Sequence, residues 1–323
     1  TQFSTSIHYG GGSYWYNTDL SGTIYFNETD WPSCDQIYVL DFNGDGKDDI
    51  MLIKDGHCEI MTFTDLQTAK RLYYGGFPTK WHHIFLGDFN GDGKTDLLCR
   101  TDKSNNNAPW YKAISTGTGW VETPFTFSQK PDINAAYHLD QLLISDYNGD
   151  GKTDIAHCWN YWADSPWNTI RHSKIDMYYS KGDNFYSEQY SFNDDIMTDP
   201  KFIFTFDSNG DGRPEILNSQ SYTQPKQLLY IKKEGKERLL HNIKNGVDHD
   251  VEFVYKRMTQ TSDFYTRGSI TSYPLNNIQT PINLVSEFKS ENGIGGFTTT
   301  KLKYEEAKFH REGKAFLGFK VIK

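Results

Sequence analysis

Apolar residues fall in short runs along this chain, and four of those runs end at the same kind of polar phrase. Ile37–Leu40, His83–Leu86, Leu142–Ser145 and Phe202–Phe206 each lead into nine mostly polar residues. Ile50–Ile53, Leu97–Leu98, Ile155–Ala156 and Ile216–Leu217 follow them. Apolar runs this short, bounded by turn residues, predict buried strands. The phrases read DFNGDGKDD from Asp41 to Asp49, DFNGDGKTD from Asp88 to Asp96, DYNGDGKTD from Asp146 to Asp154, and DSNGDGRPE from Asp207 to Glu215. Each predicts a loop joining two adjacent strands of one sheet. Their first residues lie 47, 58 and 61 positions apart, the size of one blade of a propeller of small sheets.

Outer strands are expected after each pair, with turns at Thr116–Gly119 and Lys181–Asp183. Convincing helical periodicity is scarce, and Asp65–Tyr73 is the one short helical expectation. Residues 8–30 have the pattern of outer strands from another blade. The expected fold is therefore all-β: four loop-bearing blades, with part of a fifth, over residues 1–240. An antiparallel β-module is expected over 241–323, where Asp250–Tyr255 and Thr298–Tyr304 alternate like half-exposed strands.

The phrases have the chemistry of a cation loop. Positions one, three and five carry side-chain oxygens: Asp41, Asn43 and Asp45, then Asp88, Asn90 and Asp92, then Asp146, Asn148 and Asp150, then Asp207, Asn209 and Asp211. Position nine is a carboxylate at Asp49, Asp96, Asp154 and Glu215. Position seven, at Lys47, Lys94, Lys152 and Arg213, offers a backbone carbonyl. Six to eight oxygens in a flexible loop suit calcium, whereas zinc calls for sulfur or imidazole. An EF-hand needs a bidentate Glu at position twelve, which here is Leu52, Cys99, His157 or Asn218. Such clusters also serve as plain turns; recurrence at regular spacing favours up to four structural Ca²⁺ ions. Pro214 and the longer arm of Glu215 make the fourth loop the least regular.

Charge supports the metal and divides the chain. Residues 1–225 carry a net −15 and residues 226–323 a net +6. The overall −9 argues against nucleic acid as a partner, and four calcium ions would bring it to about −1. Mean hydropathy is −0.68, and no apolar run is long enough to span a bilayer. Aromatics reach 15%, which suits strands. Lacking an initial Met and ending abruptly, the chain is expected to be a segment of a longer exported protein.

The four phrases resemble FG-GAP/VCBS repeats, the calcium-loop blades of integrin α propellers. That resemblance covers about residues 30–225 and implies structural calcium at the positions named above. A second resemblance lies in the tail. Asn245-Gly246, Val251–Lys256, Phe264–Thr266, Asn292–Gly296, Lys303–Ala307, His310, Gly313 and Phe316–Phe319 resemble the stretch after the propeller in toxin-complex B and SpvB-like proteins, relatives of the Rhs family. In that family the propeller docks or gates, ahead of a shell that encloses a toxic domain. The resemblance implies a secreted or cell-surface scaffold, partnered by another protein or by further segments of its own chain.

A carbohydrate-binding or adhesive propeller is the rival reading. It rests on aromatic clusters: Trp159, Trp162 and Trp167, and Ser13–Tyr16. The expectation favoured for these rings is that they fill blade cores. No nucleophile elbow, phosphate loop or HExxH motif occurs, so no enzymatic role is expected. His57-Cys58 and His157-Cys158 are strand neighbours that point to opposite faces, and are expected to be buried thiols beside surface imidazoles. His82-His83 offers only a bare metal-binding pair. Cys34 and Cys58 flank one strand pair and could be bridged; Cys99 and Cys158 have no evident partner.

Overall fold

Each acidic phrase joins the first two strands of a sheet, as the apolar runs around it require. The computed structural model describes residues 6–11, 14–19, 35–54, 56–63, 69–76, 82–100, 108–129, 140–162, 171–192, 203–218, 227–229, 239–246, 249–260, 263–269, 271–272, 274–310 and 315–323. Among them every regular element is a strand. Among the described residues no helix is long and apolar enough to cross a membrane.

Strands β1 (Ser6–Gly11) and β2 (Tyr14–Asp19) form an antiparallel hairpin, where outer strands were expected. The first repeat sheet is β3 (Gln36–Leu40), β4 (Asp49–Lys54), β5 (His57–Phe63) and β6 (Ala69–Gly76), in that order. The second is β7 (His82–Gly87), β8 (Asp96–Arg100), β9 (Trp110–Ser115) and β10 (Trp120–Phe125). The third is β11 (Gln141–Ser145), β12 (Asp154–Trp162), β13 (Arg171–Ser180) and β14 (Phe185–Phe192). The fourth has three described strands, β15 (Ile203–Phe206), β16 (Glu215–Asn218) and β17 (Gln227–Leu229). The turns expected at Thr116 and Lys181 close hairpins through Thr116 N–H to Gly119 O and Lys181 N–H to Asn184 O.

The tail adds β18 (Asn242–Lys244), β19 (Asp250–Arg257), β20 (Tyr265–Thr266), β21 (Leu275–Asn277), β22 (Asn283–Glu291), β23 (Phe297–Lys301), β24 (Tyr304–His310) and β25 (Ala315–Ile322). One sheet runs β18-β19-β22-β23, all antiparallel. In the other, β24 pairs with β21 and β25 antiparallel and with β20 over a short parallel pair.

The chain divides into two compact units, residues 1–144 with 152–195, and residues 145–151 with 196–323. In the first unit the core lies between sheets. Leu40, Met51, Ile53, Cys58 and Ile60 of the first sheet share one cluster with Leu97, Cys99 and Ala113 of the second. Leu98 and Trp110 of the second sheet share another with Leu142, Ile155 and Tyr178 of the third. Phe42 and Phe89, at position two of their loops, are fully buried in these clusters. Burying such a side chain is worth about 2 kcal/mol, so each loop is anchored where it begins. The opposite face of the first sheet carries Ile37 and Val39, 51% and 56% exposed.

In the second unit, Met258, Phe264, Tyr265, Tyr304 and Ala307 form the core, with Phe319 packed on it. The Tyr304 and Phe319 rings lie 4.7 Å apart. Tyr265 donates its hydroxyl to Ile278 O at 2.6 Å and accepts the Ala307 N–H at 3.1 Å. Gly318 takes φ 97°, where a side chain is strained. Phe264, Tyr265, Tyr304 and Ala307 of the tail motif are thus core residues, whereas Phe316 and Leu317 are exposed.

Three expectations are corrected. The helix expected over Asp65–Tyr73 is in its described part strand β6, because the outer edge of β5 needs a partner and Leu72 and Tyr73 pack on the first core. Cys58 is a free buried thiol, so it is not bridged to Cys34, which lies outside the described residues; Cys99 and Cys158 are also free and buried. His57 is exposed as expected, but His157 is fully buried. The Phe127 ring stands edge-on to it, and Asp140 Oδ2 lies 3.4 Å from its Nε2.

Candidate metal centre

The glycines of the phrase set the shape of each loop. Positions four and six have φ between 71° and 84° in all four copies, from Gly44 and Gly46 to Gly210 and Gly212. A residue with a Cβ resists that region, so the alternation of glycine with polar residues is a backbone requirement. The resulting bend turns three successive amides toward the first carboxylate. Gly44 and Asp45 donate to Asp41 Oδ1 at 2.8 and 3.2 Å, and Gly46 donates to Oδ2 at 2.8 Å. Asp88, Asp146 and Asp207 each accept the same three amides of their own loops.

The remaining oxygens are also placed by the backbone. Asn43, Asn90 and Asn148 accept the N–H of position five through Oδ1. Asp45, Asp92 and Asp211 accept the N–H of position seven. Asn209 departs, turning its amide to Glu215 Oε1 at 2.9 Å. That is where the longer arm of Glu215 changes the fourth loop.

Position nine is buried at the root of the loop. Asp49, Asp96 and Asp154 are fully buried and Glu215 is nearly so. Asp49 and Asp96 accept the N–H of position two, from Phe42 at 3.0 Å and Phe89 at 2.9 Å. Asp96 Oδ1 takes the Ser115 N–H and Asp154 Oδ1 the Ser180 N–H, both at 2.8 Å. Burial pushes Asp96 up to about 7, with Asp88 and Asp92 adding repulsion, while the two amide bonds oppose the rise. Burial also raises Asp49 and Asp146. Burial acts upward on Asp92 too, but Lys94 Nζ, 2.8 Å from its Oδ2, brings it below the usual carboxylate range.

These residues fit a hard cation by their chemistry. Every donor is an oxygen, the carboxylates keep free lone pairs beyond the amides they accept, and like charges crowd one another. In the first loop Asp49 Oδ1 is buried without a hydrogen-bond partner, although Thr62 lies near. Against this, among the described residues no three His, Cys, Asp or Glu side chains converge as a ready cation cage. The loops as they stand are closed on their own amides.

Sequence reasoning missed how successive loops are tied together. Thr95, at position eight of the second loop, donates its N–H to Asp41 O at 2.7 Å and accepts the Asp41 N–H on Oγ1 at 3.1 Å. Thr153 does the same for Asp88, at 2.7 and 2.9 Å. Ser115 donates its hydroxyl to Phe42 O at 2.6 Å, and Ser180 donates to Phe89 O. Each loop in this series is held by the sheet that follows it. The signal was present in the phrase, where position eight reads Asp48, Thr95, Thr153 and Pro214.

The aromatic alternative fares differently. Trp159 is half-buried on β12, donates Nε1 to Asp176 Oδ2 at 3.0 Å and lies under Lys174 Nζ, 5.2 Å from the ring centre. The side chains of Trp162 and Trp167 lie outside the described residues, as do those of Ser13–Tyr16. His82 and His83 open β7 where its ladder slips, with His83 at φ 53°.

Comparison with known proteins divides the chain at nearly the same place as its packing. Residues 41–99 and 88–157 match the family described as FG-GAP-like repeat. Residues 194–323 match the insecticide toxin TcdB middle/N-terminal region. No curated protein matches the chain. One similar solved structure is titled for the specific recognition of non-reducing terminal N-acetylglucosamine by an Agrocybe aegerita lectin. It is 16% identical over 82% of this chain, which spans 65% of its length, with a TM-score of 0.40. That likeness is too distant to carry an argument. The first three acidic loops fall in the first family match and the fourth in the second. The chain is thus similar to FG-GAP-like repeats over residues 41–157 and, after them, to a TcdB-type toxin middle/N-terminal region over 194–323.

Proposed function

We propose that this chain is a calcium-stabilised scaffold segment of a toxin-complex-like protein, working outside the cell or at its surface by protein docking and without chemistry of its own. The observation that carries the reading is the order of the two family matches along one chain. Calcium is supported by the all-oxygen donor set and by the buried position-nine carboxylates. Extracellular calcium sites of this modular kind work at about 10⁻⁴ to 10⁻³ M, which suits an exported protein.

Docking is supported by exposed apolar strand faces. Ile37 and Val39 lie bare on β3, and Phe204 and Phe206, 51% and 41% exposed, on β15. Large apolar side chains left bare on one strand face are the surface such docking would use. Cross-linking mass spectrometry on the native assembly in calcium tests it. Links from Lys54 on β4 or Lys70 on β6 to another protein segment are the expected result. Capture on immobilised glycans, with no protein cross-links, would overturn it in favour of a lectin.

A further inference from the structure

We propose that Thr95 and Thr153 are positioning residues that couple the acidic loops, so that a cation held in one loop raises the affinity of the loop before it. This inference rests on the calcium reading above. Thr95 lies between Lys94, whose carbonyl is a candidate ligand, and Asp96, the position-nine acid. Its N–H and hydroxyl both bind the backbone of Asp41, the residue whose carboxylate gathers the amides of the first loop. Thr153 stands in the same way between Lys152 and Asp154, and binds the backbone of Asp88.

Two further contacts join the same pair of loops. A Cβ at Gly44 would lie 3.0 Å from Lys94 Cγ, so the lysine stem crosses the first loop at its bend. Gly117, in the turn after β9, comes so close to Asn43 that a Cβ there would be 3.5 Å from the Asn43 Cα. A cation in the second loop would fix Lys94, Thr95 and Asp96 together. The backbone of Asp41 would then already be ordered when the first loop takes its own ion. Ordering done once is not lost again, which is positive coupling without a large change of shape.

This tie ends where its chemistry ends. Pro214 stands at position eight of the fourth loop, with neither an N–H nor a hydroxyl to offer Asp146. The threonine tie therefore joins loops one to three; the fourth loop meets the third without it, through the Arg213 stem, whose Nε and Cγ would lie 2.9 and 3.3 Å from a Cβ at Gly149.

Hydrogen–deuterium exchange of the whole chain, followed at the peptide covering residues 41–49 across a calcium titration from EDTA, tests this. Asp92→Ala empties the second loop and is expected to raise the calcium midpoint of the first by about fivefold, one hydrogen bond's worth. In a Thr95→Val background Asp92→Ala should leave that midpoint where Thr95→Val alone puts it. Thr95→Ser should restore the response. A merely structural Thr95 would lower stability without changing how the first loop senses the second. Asp92→Asn gives the same comparison if the alanine variant folds poorly. An unmoved midpoint in Asp92→Ala, or an equal shift with and without Thr95, overturns the coupling. If no loop of the unaltered protein gains protection with calcium, the calcium reading itself fails and the coupling falls with it. The two failures are distinct, because only the second leaves every loop silent.

Discussion

The Ser115 hydroxyl donates to the Phe42 carbonyl at 2.6 Å, across 73 residues of chain, and so holds the root of one acidic loop from the sheet that follows it. The same oxygen accepts the Gly117 N–H at 3.1 Å, so one small side chain fixes a loop and a hairpin turn together. Ser180 repeats the pair of contacts one repeat later, to Phe89 O and from the Gly182 N–H.

Because Ser115 is buried, its loss leaves the buried Phe42 carbonyl and the half-buried Gly117 amide without this partner. Ser115→Ala should therefore destabilise the protein by about 2 kcal/mol. Urea unfolding of the variant checks this, and a loss near zero would mean that water takes the place of the hydroxyl.

Two glycines of one loop should behave differently. Gly44 and Gly46 have φ near 75° and 79°, so alanine at either should cost about 1 kcal/mol in backbone strain. A Cβ at Gly46 meets nothing, whereas one at Gly44 meets Lys94 Cγ at 3.0 Å. Thermal melts should rank Gly44→Ala below Gly46→Ala. Adding Lys94→Ala should close the gap; a gap that persists would place the strain elsewhere.

The strand and loop positions were legible because they are local. The phrase supplied its own glycines, and the apolar runs on either side of it placed β3 with β4, β7 with β8, β11 with β12 and β15 with β16. What was not legible lies between repeats. No local period shows that Thr95 reaches Asp41, because the bond depends on how one sheet stacks on the next. Comparing position eight across the copies did hold a trace of it. Strand β6 was misread because a weak helical pattern was overruled by the open edge of β5. His157 was misread because Phe127 and Asp140, 30 and 17 residues earlier, cover it. In the tail, Tyr304, Ala307 and Phe319 stood out as a motif before the structure showed them to be a core.

The three described thiols should be inert while the protein is folded. Burial pushes Cys158 up to about 12, and raises Cys58 and Cys99 as well, so almost no thiolate exists near neutral pH. Alkylation with iodoacetamide, read peptide by peptide, should modify Cys58, Cys99 and Cys158 only after denaturation. Rapid labelling of any of them in the native protein would contradict the burial of that strand.

The central claim is that the acidic phrases are metal sites and more than turns. A thermal melt in EDTA, repeated across a calcium titration, tests it most directly. Binding to the native state stabilises by RT ln(1 + [L]/Kd), about 2.7 kcal/mol per site at a hundredfold excess over Kd. Three coupled sites in a chain of this size should then raise Tm by roughly 10 °C or more, with little response to magnesium. A Tm that is the same in EDTA and in saturating calcium would show that the loops need no ion, and that Asp41, Asp88, Asp146 and Asp207 serve only to gather their own amides.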